Sequence, residues 1–127
     1  MNKVTRVIVV TAIAGLLALG ATSVASAKDG DVRAVGSCTK STTSKIKLSP
    51  ENGRIEVEFE VDQNRNGVRW SVAIRHRGQV VRRLVRVTRA PSGSFEARVV
   101  VPNGPGADRI AATATRRGET CTAAATF

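Results

Sequence analysis

"RIEVEFEV" (Arg54–Val61) and "VRWSVAIR" (Val68–Arg75) stand on either side of "DQNRNG" (Asp62–Gly67), and how these three segments are read decides the fold. In the first run Ile55, Val57, Phe59 and Val61 alternate with Glu56, Glu58 and Glu60. In the second, Val68, Trp70, Val72 and Ile74 alternate with Arg69, Ser71, Ala73 and Arg75. An apolar residue at every second position puts one face of an extended chain in a core and the other in water. Both runs therefore read as half-buried strands.

The connecting stretch has the spacing D-x-N-x-N-G, which is that of the first half of a calcium-binding EF-hand loop. In such a loop Asp62, Asn64 and Asn66 would supply oxygens, and Gly67 the sharp bend. The remaining features point away from a metal. The position of the closing bidentate glutamate is Ala73, Arg65 brings positive charge into the loop, and the flanks are strands where the hand needs helices. Asn-Gly is also a favoured turn because both residues tolerate positive φ. The same dipeptide recurs at Asn52-Gly53 and Asn103-Gly104. The stretch reads as a turn, with no metal and no cofactor expected.

Outward from this centre the alternation continues, broken by turn residues. "SKIKLS" buries Ile46 and Leu48 ahead of a turn at "PENG" (Pro50–Gly53). "SFEARVVV" buries Phe95, Ala97, Val99 and Val101 ahead of the loop "PNGPGAD" (Pro102–Asp108). "RIAATATR" buries Ile110, Ala112 and Ala114, and "RG" at Arg117 and Gly118 turns the chain into "ETCTAAATF". Upstream, "DVRAVGSCT" reads as one further strand with Cys38 facing the core.

"QVVRRLVRVTR" (Gln79–Arg89) has arginines on both parities. Val81, Leu84, Val85 and Thr88 follow helical spacing, as in a short basic amphipathic helix. The many β-branched residues instead favour a bulged edge strand whose charges guard the open edge. Edge strand is the preferred reading and short helix the alternative.

Seven or eight short strands without a long helical pattern specify an all-β, antiparallel β-sandwich. With a Trp inside "VRWSVAI" and a closing hairpin "DRIAATATRRGETC", residues from about 45 to 127 resemble an immunoglobulin-like domain. The chain departs from that family in having no tyrosine in the penultimate strand, and in cysteines that join its first and last strands. In its leader and its Arg/Ala/Val/Thr-rich composition it also resembles small exported proteins of actinobacteria. Neither resemblance implies an activity.

The chain opens with Lys3 and Arg6, a 13-residue apolar run (Val7–Leu19) and small residues ending in Ala25-Ser26-Ala27. This is the three-part pattern of a secretory signal peptide over residues 1–27, with cleavage after Ala27. The run falls short of the about 20 residues that a membrane span requires, so no transmembrane segment is expected in the mature chain. Residues 28–127 then form one small secreted, extracellular domain. In an oxidising compartment its two cysteines, Cys38 and Cys121, are expected to pair as a disulfide.

Without Lys3 and Arg6 the mature chain carries 18 Lys and Arg against 10 Asp and Glu, a net charge of +8 (18 − 10). Arg65–Arg89 holds eight arginines and no acid, while Glu51–Asp62 holds five acids and one arginine. On different sheets these runs would give one acidic and one basic outer face. Paired as a hairpin they would set Glu60 against Arg69 and partly cancel. In the first arrangement Arg69, Arg75, Arg82 and Arg86 line the basic face, with Arg116 or Arg117 near its end. Arginine suits phosphate and carboxylate, so an anionic cell-envelope or extracellular polymer is the expected partner. Specific nucleic-acid binding is not expected, because Phe59, Trp70, Phe95 and Phe127 all fall on inward parity and leave no stacking platform.

No catalytic constellation emerges. His76 reads as a loop residue, no G-x-S-x-G surrounds a serine such as Ser92 or Ser94, and the three glutamates of "EVEFE" share one solvated face. The expectation is a secreted, non-enzymatic binding module for anionic polymers. The alternative is a secreted protein-binding effector, such as a protease inhibitor, acting through "RAPSGS" (Arg89–Ser94) or "PNGPGAD".

Overall fold

A computed structural model describes residues 30–127. The signal peptide read over residues 1–27 lies outside the described residues. The described residues form nine strands: β1 (Val32–Val35), β2 (Ser37–Cys38), β3 (Thr43–Glu51), β4 (Arg54–Asp62), β5 (Arg69–His76), β6 (Gln79–Val87), β7 (Ser94–Pro102), β8 (Arg109–Arg116) and β9 (Glu119–Thr126). They make two antiparallel sheets, ordered β1-β3-β4-β7 and β2-β9-β8-β5-β6. Among the described residues no helix is long and apolar enough to cross a membrane.

The alternation read from the sequence sets the core between the sheets. Ile55, Val57, Phe59 and Val61 from β4 meet Trp70, Val72 and Ile74 from β5, and all are buried. Phe95 sits edge-on to Phe59 at 6.4 Å between ring centroids and 6.2 Å from the Trp70 ring. Burial of each large side chain of this kind stabilises by about 1.5–3 kcal/mol. The indole N–H of Trp70 is not stranded, since it donates to Gln63 Oε1 at 3.2 Å. Val68 and Val99, expected inside, are only partly buried against this core.

The ninth strand arises where a single one was expected. "DVRAVGSCT" splits at Gly36: β1 pairs with β3 in one sheet, and β2 pairs with β9 in the other. Only glycine fits at this crossing, because a Cβ on Gly36 would lie 2.0 Å from the Thr122 carbonyl oxygen and 2.4 Å from Ser44 Oγ. Just beyond it, Cys38 is the direct antiparallel partner of Cys121, and the two form the expected disulfide.

Two hairpins turn on a pair of residues that both have positive φ. Asn52-Gly53 (φ 47° and 74°) joins β3 to β4, a narrower turn than "PENG", and Arg77-Gly78 (φ 50° and 82°) joins β5 to β6. This is the pattern whose twist matches antiparallel strands. "DQNRNG" does a different job: it carries the chain from one sheet to the other, so β4 and β5 do not pair. The segment of uncertain parity, Gln79–Arg89, is an edge strand with one unpaired residue. Ile74 faces Arg82 and Arg75 faces Val80, which leaves Val81 as a bulge.

Candidate functional site

Register along the five-stranded sheet assigns each arginine a side. Trp70, Val72 and Ile74 point into the core, so Arg69, Ser71, Ala73 and Arg75 point outward. Across β8 these meet Thr115 (opposite Ser71), Thr113 (opposite Ala73) and Ala111 (opposite Arg75), with Arg109 next on that face. Across β9 follow Thr120, Thr122 and Ala124, and Ser37 of β2 stands opposite Thr122. On the other flank Val87, Val85 and Arg83 of β6 stand opposite Arg69, Ser71 and Ala73. The outer face is thus a floor of alanines, short hydroxyl side chains and, on β6, Val85 and Val87, from which Arg69, Arg75, Arg83 and Arg109 rise. A shallow trough runs along it, lined by Ser71, Ala73, Arg75, Arg83, Val85, Thr113 and Thr115.

No Asp or Glu occupies an outward position of this sheet among the described residues. None of the four outward arginines makes a side-chain hydrogen bond or ion pair among them either. The outer face of the other sheet is the reverse case. Lys45 pairs with Glu60 at 3.1 Å, Lys47 with Glu58 at 3.0 Å, and Arg98 with Glu56. Glu56 is buried under its partner instead of solvated. The acidic and arginine-rich runs do lie on different sheets, but Lys45, Lys47 and Arg98 pair with the three glutamates of the acidic one. Among the described residues that face keeps Glu96 without an ion-pair partner, beside Glu58 and Glu60, while the basic face keeps four unpaired arginines.

The structure divides the four arginines singled out from the sequence. Arg69 and Arg75 share the outer face. Arg82 and Arg86 stand on the opposite side, paired with Ile74 and Trp70. The reason is Leu84, which faces Val72 and packs against the core, and so turns the residues two places before and after it inward as well. At this open flank Arg86 donates from Nε to the Glu96 carbonyl (3.2 Å) and from Nη1 to the Val85 carbonyl (3.1 Å), capping backbone acceptors. The outer face instead gains Arg83 and Arg109, which the sequence reading passed over. The parity of Leu84 was the available signal for Arg83, and the parity of Ile110 for Arg109.

Arg116 is also committed elsewhere. Its Nε donates to the buried Glu119 at 2.9 Å, and its guanidinium lies 5.5 Å from the centroid of the Trp70 ring. Burial works to raise the Glu119 pKa, but the Thr42 hydroxyl and the Arg116 guanidinium outweigh it, and the carboxyl lies below its ordinary value. Arg117, at the turn, is exposed.

His76 is not a loop residue but the last residue of β5, and its Nε2 lies 2.6 Å from Oδ1 of the fully buried Asp108. The same oxygen accepts from Arg77 Nε at 2.8 Å, and Oδ2 accepts from the Gly104 amide at 3.1 Å. The cluster ties the loop before β8 to the β5–β6 turn. Ser92 and Ser94 bond each other at 2.7 Å. Ser94 stands opposite Asp62, at the start of β7 and therefore at the other end of the sandwich from His76, so no Ser-His-Asp arrangement forms among these residues.

In "DQNRNG" the Asp62 carboxylate accepts from the Asn64 amide at 3.0 Å, while the Thr88 hydroxyl bonds the Arg65 carbonyl and the Gly67 amide donates to the Thr88 carbonyl. Its oxygens serve the loop's own fold. Comparison with protein-family models, with curated proteins and with solved structures returns no match.

Proposed function

We propose that this is an exported, non-enzymatic, immunoglobulin-like module that binds an anionic cell-envelope or extracellular polymer through the outer face of its five-stranded sheet. One observation carries the reading: Arg69, Arg75, Arg83 and Arg109 rise unpaired from an acid-free floor of small residues, whereas Lys45, Lys47 and Arg98 of the opposite outer face are ion-paired. Unpaired guanidiniums on one face raise the local concentration of polyanions and offer forked donors to their phosphate or carboxylate groups. The face carries no aromatic side chain on which bases could stack, which weighs against single-stranded nucleic acid.

Export is supported by the leader pattern of residues 1–27. The Cys38–Cys121 disulfide is consistent with an oxidising compartment. The immunoglobulin likeness is supported by the strand order β9-β8-β5-β6, which parallels the extended sheet of variable-type domains. The other sheet differs, since β3 pairs with its successor β4 where that family pairs its second and fifth strands.

The loop-based alternative finds less support. Arg89–Ser94 closes on itself through the Arg89 amide to the Ser94 carbonyl (2.9 Å) and the Gly93 amide to the Arg89 carbonyl (2.9 Å). A protease-binding loop needs an extended, accessible segment. The test is co-sedimentation of the disulfide-bonded protein with cell walls, with and without their anionic polymers, across a salt series. Binding that requires the polymer and fades with salt is expected. Failure to bind at low salt would sink the reading and return attention to the loops.

A further inference from the structure

The free arginines are not scattered over the outer face. Arg75 stands opposite Ala111 on β8, and Arg109 lies two residues before Ala111, so Arg109 is the diagonal neighbour of Arg75. On the other side Ala73 stands opposite Arg83 of β6, and Arg75 lies two residues beyond Ala73. Arg83 is therefore the diagonal neighbour of Arg75 as well. Arg83, Arg75 and Arg109 fall on one oblique line across three adjacent strands. Diagonal neighbours in a sheet are about 7–8 Å apart, so each step along the line has that length. The positions directly beside Arg75 and Arg83 on the inner side of this line are Ala111 and Ala73, whose methyl groups leave the guanidiniums unobstructed.

Resting on the anionic-polymer reading above, we infer that Arg83, Arg75 and Arg109 form a track that seats one linear phosphodiester polymer, a polyol phosphate chain, obliquely across β6, β5 and β8. Three features select this class. The charges are arginines, whose planar fork matches the two free oxygens of a phosphodiester. Their spacing is close and even, which suits a backbone bearing one charge per short repeat better than a glycan with one acid per disaccharide. Beside the line lie Ser71, Thr113 and Thr115, hydroxyls that both donate to and accept from polyol hydroxyls. Arg69 shares the face but stands off the line, two strand positions beyond Ser71 and away from Arg75, and so attracts the polymer without seating it on the track.

The test uses the disulfide-bonded protein and oligo(glycerol phosphate) of graded length, from one repeat upward, titrated at low salt. Affinity is expected to climb steeply until three phosphates are present and then to level off. At that length the logarithm of the binding constant should fall against the logarithm of salt concentration with a slope of about −2, the value for three phosphates on a single strand. Arg75→Gln should weaken binding by about tenfold or more, the loss of a charged bidentate contact, and Arg69→Gln by several-fold less than that. Thermal unfolding of both variants establishes that they are folded.

Binding that ignores chain length, or that suffers equally from Arg69→Gln and Arg75→Gln, would overturn the track while leaving a diffuse anionic-polymer face standing. Tighter binding of hyaluronate or polyglutamate than of the phosphodiester would overturn the assigned class alone. No binding of any of these polymers by the folded protein would remove the polymer reading and the track together.

Discussion

Arg82 and Arg83 are consecutive in the chain and stand on opposite faces of the five-stranded sheet. Arg82 is paired with the buried Ile74, Arg83 with the outward Ala73. The two residues have the same charge and adjoin in sequence, yet only Arg83 belongs to the unpaired basic face. Charge reversal separates them. Arg83→Glu should abolish most polymer binding measured by sedimentation, and Arg82→Glu should reduce it only by the change in net charge. Equal losses would mean that total charge, not the face, governs binding.

The disulfide is expected to be the main tether of β2, which has only two residues in the sheet. Cys38 and Cys121 are 83 residues apart, and chain-entropy reasoning assigns about 4 kcal/mol to closing a loop of that order. Replacing both cysteines by alanine should lower the unfolding free energy in urea by an amount approaching this. Amide exchange should quicken first at Ser37 and Cys38.

Gly36 marks the point where the chain passes between sheets. Gly36→Ala places a methyl group against the Thr122 carbonyl oxygen, the Ser44 hydroxyl and Ala123. A backbone acceptor cannot rotate away, so the substitution should cost about 1–3 kcal/mol as an overpacked site. Chemical denaturation reads this directly.

Two carboxyls move in opposite directions and give opposite pH signatures. Glu119 lies below its ordinary value of 4.5 in the folded protein, so its contribution is complete above that value and is lost as pH falls through the lower, folded one. Glu119→Gln should therefore destabilise the protein at neutral pH and matter progressively less in acid. Glu96 is raised, first by partial loss of water at its carboxyl and then by the charges of Glu58 and Glu60, the latter directly opposite it. It therefore penalises folding above its unfolded value. Glu96→Gln should raise the melting temperature near neutral pH and leave it unchanged well below pH 4.5.

Asp108 is fully buried and serves His76, Arg77 and the Gly104 amide at once. Asp108→Ala leaves these donors without their acceptor and should cost about 3 kcal/mol, with the loop 102–108 losing protection from proteolysis.

Much of the fold was legible because period-two alternation is a backbone property and survives at every strand that faces the core on one side. The strands around Phe59, Trp70, Phe95, Ile110 and Cys121 all follow it, and the burial of Cys121 together with the partial burial of Cys38 fits the disulfide read from their parity. Legibility failed where a residue's job depends on a distant segment. Gly36 splits a strand because Thr122 approaches it from the other end of the chain. Asn66-Gly67 carries the dipeptide of a hairpin but crosses between sheets, since Thr88 and Gly93 hold the loop in place. On β6 the apolar residues fall on both parities and the bulge at Val81 hides the register, so only the contact of Leu84 with the core tells which arginines face out.

The central claim is that the outer face of the five-stranded sheet is the working surface. It is tested most directly by nuclear magnetic resonance of the labelled protein as polyglycerol phosphate is added. The account predicts shifts concentrated at the side-chain Nε–H groups of Arg75, Arg83 and Arg109 and at the amides of Ala73, Ala111 and Thr113. Shifts confined to β4 and β7, or to the loop Arg89–Ser94, would contradict it.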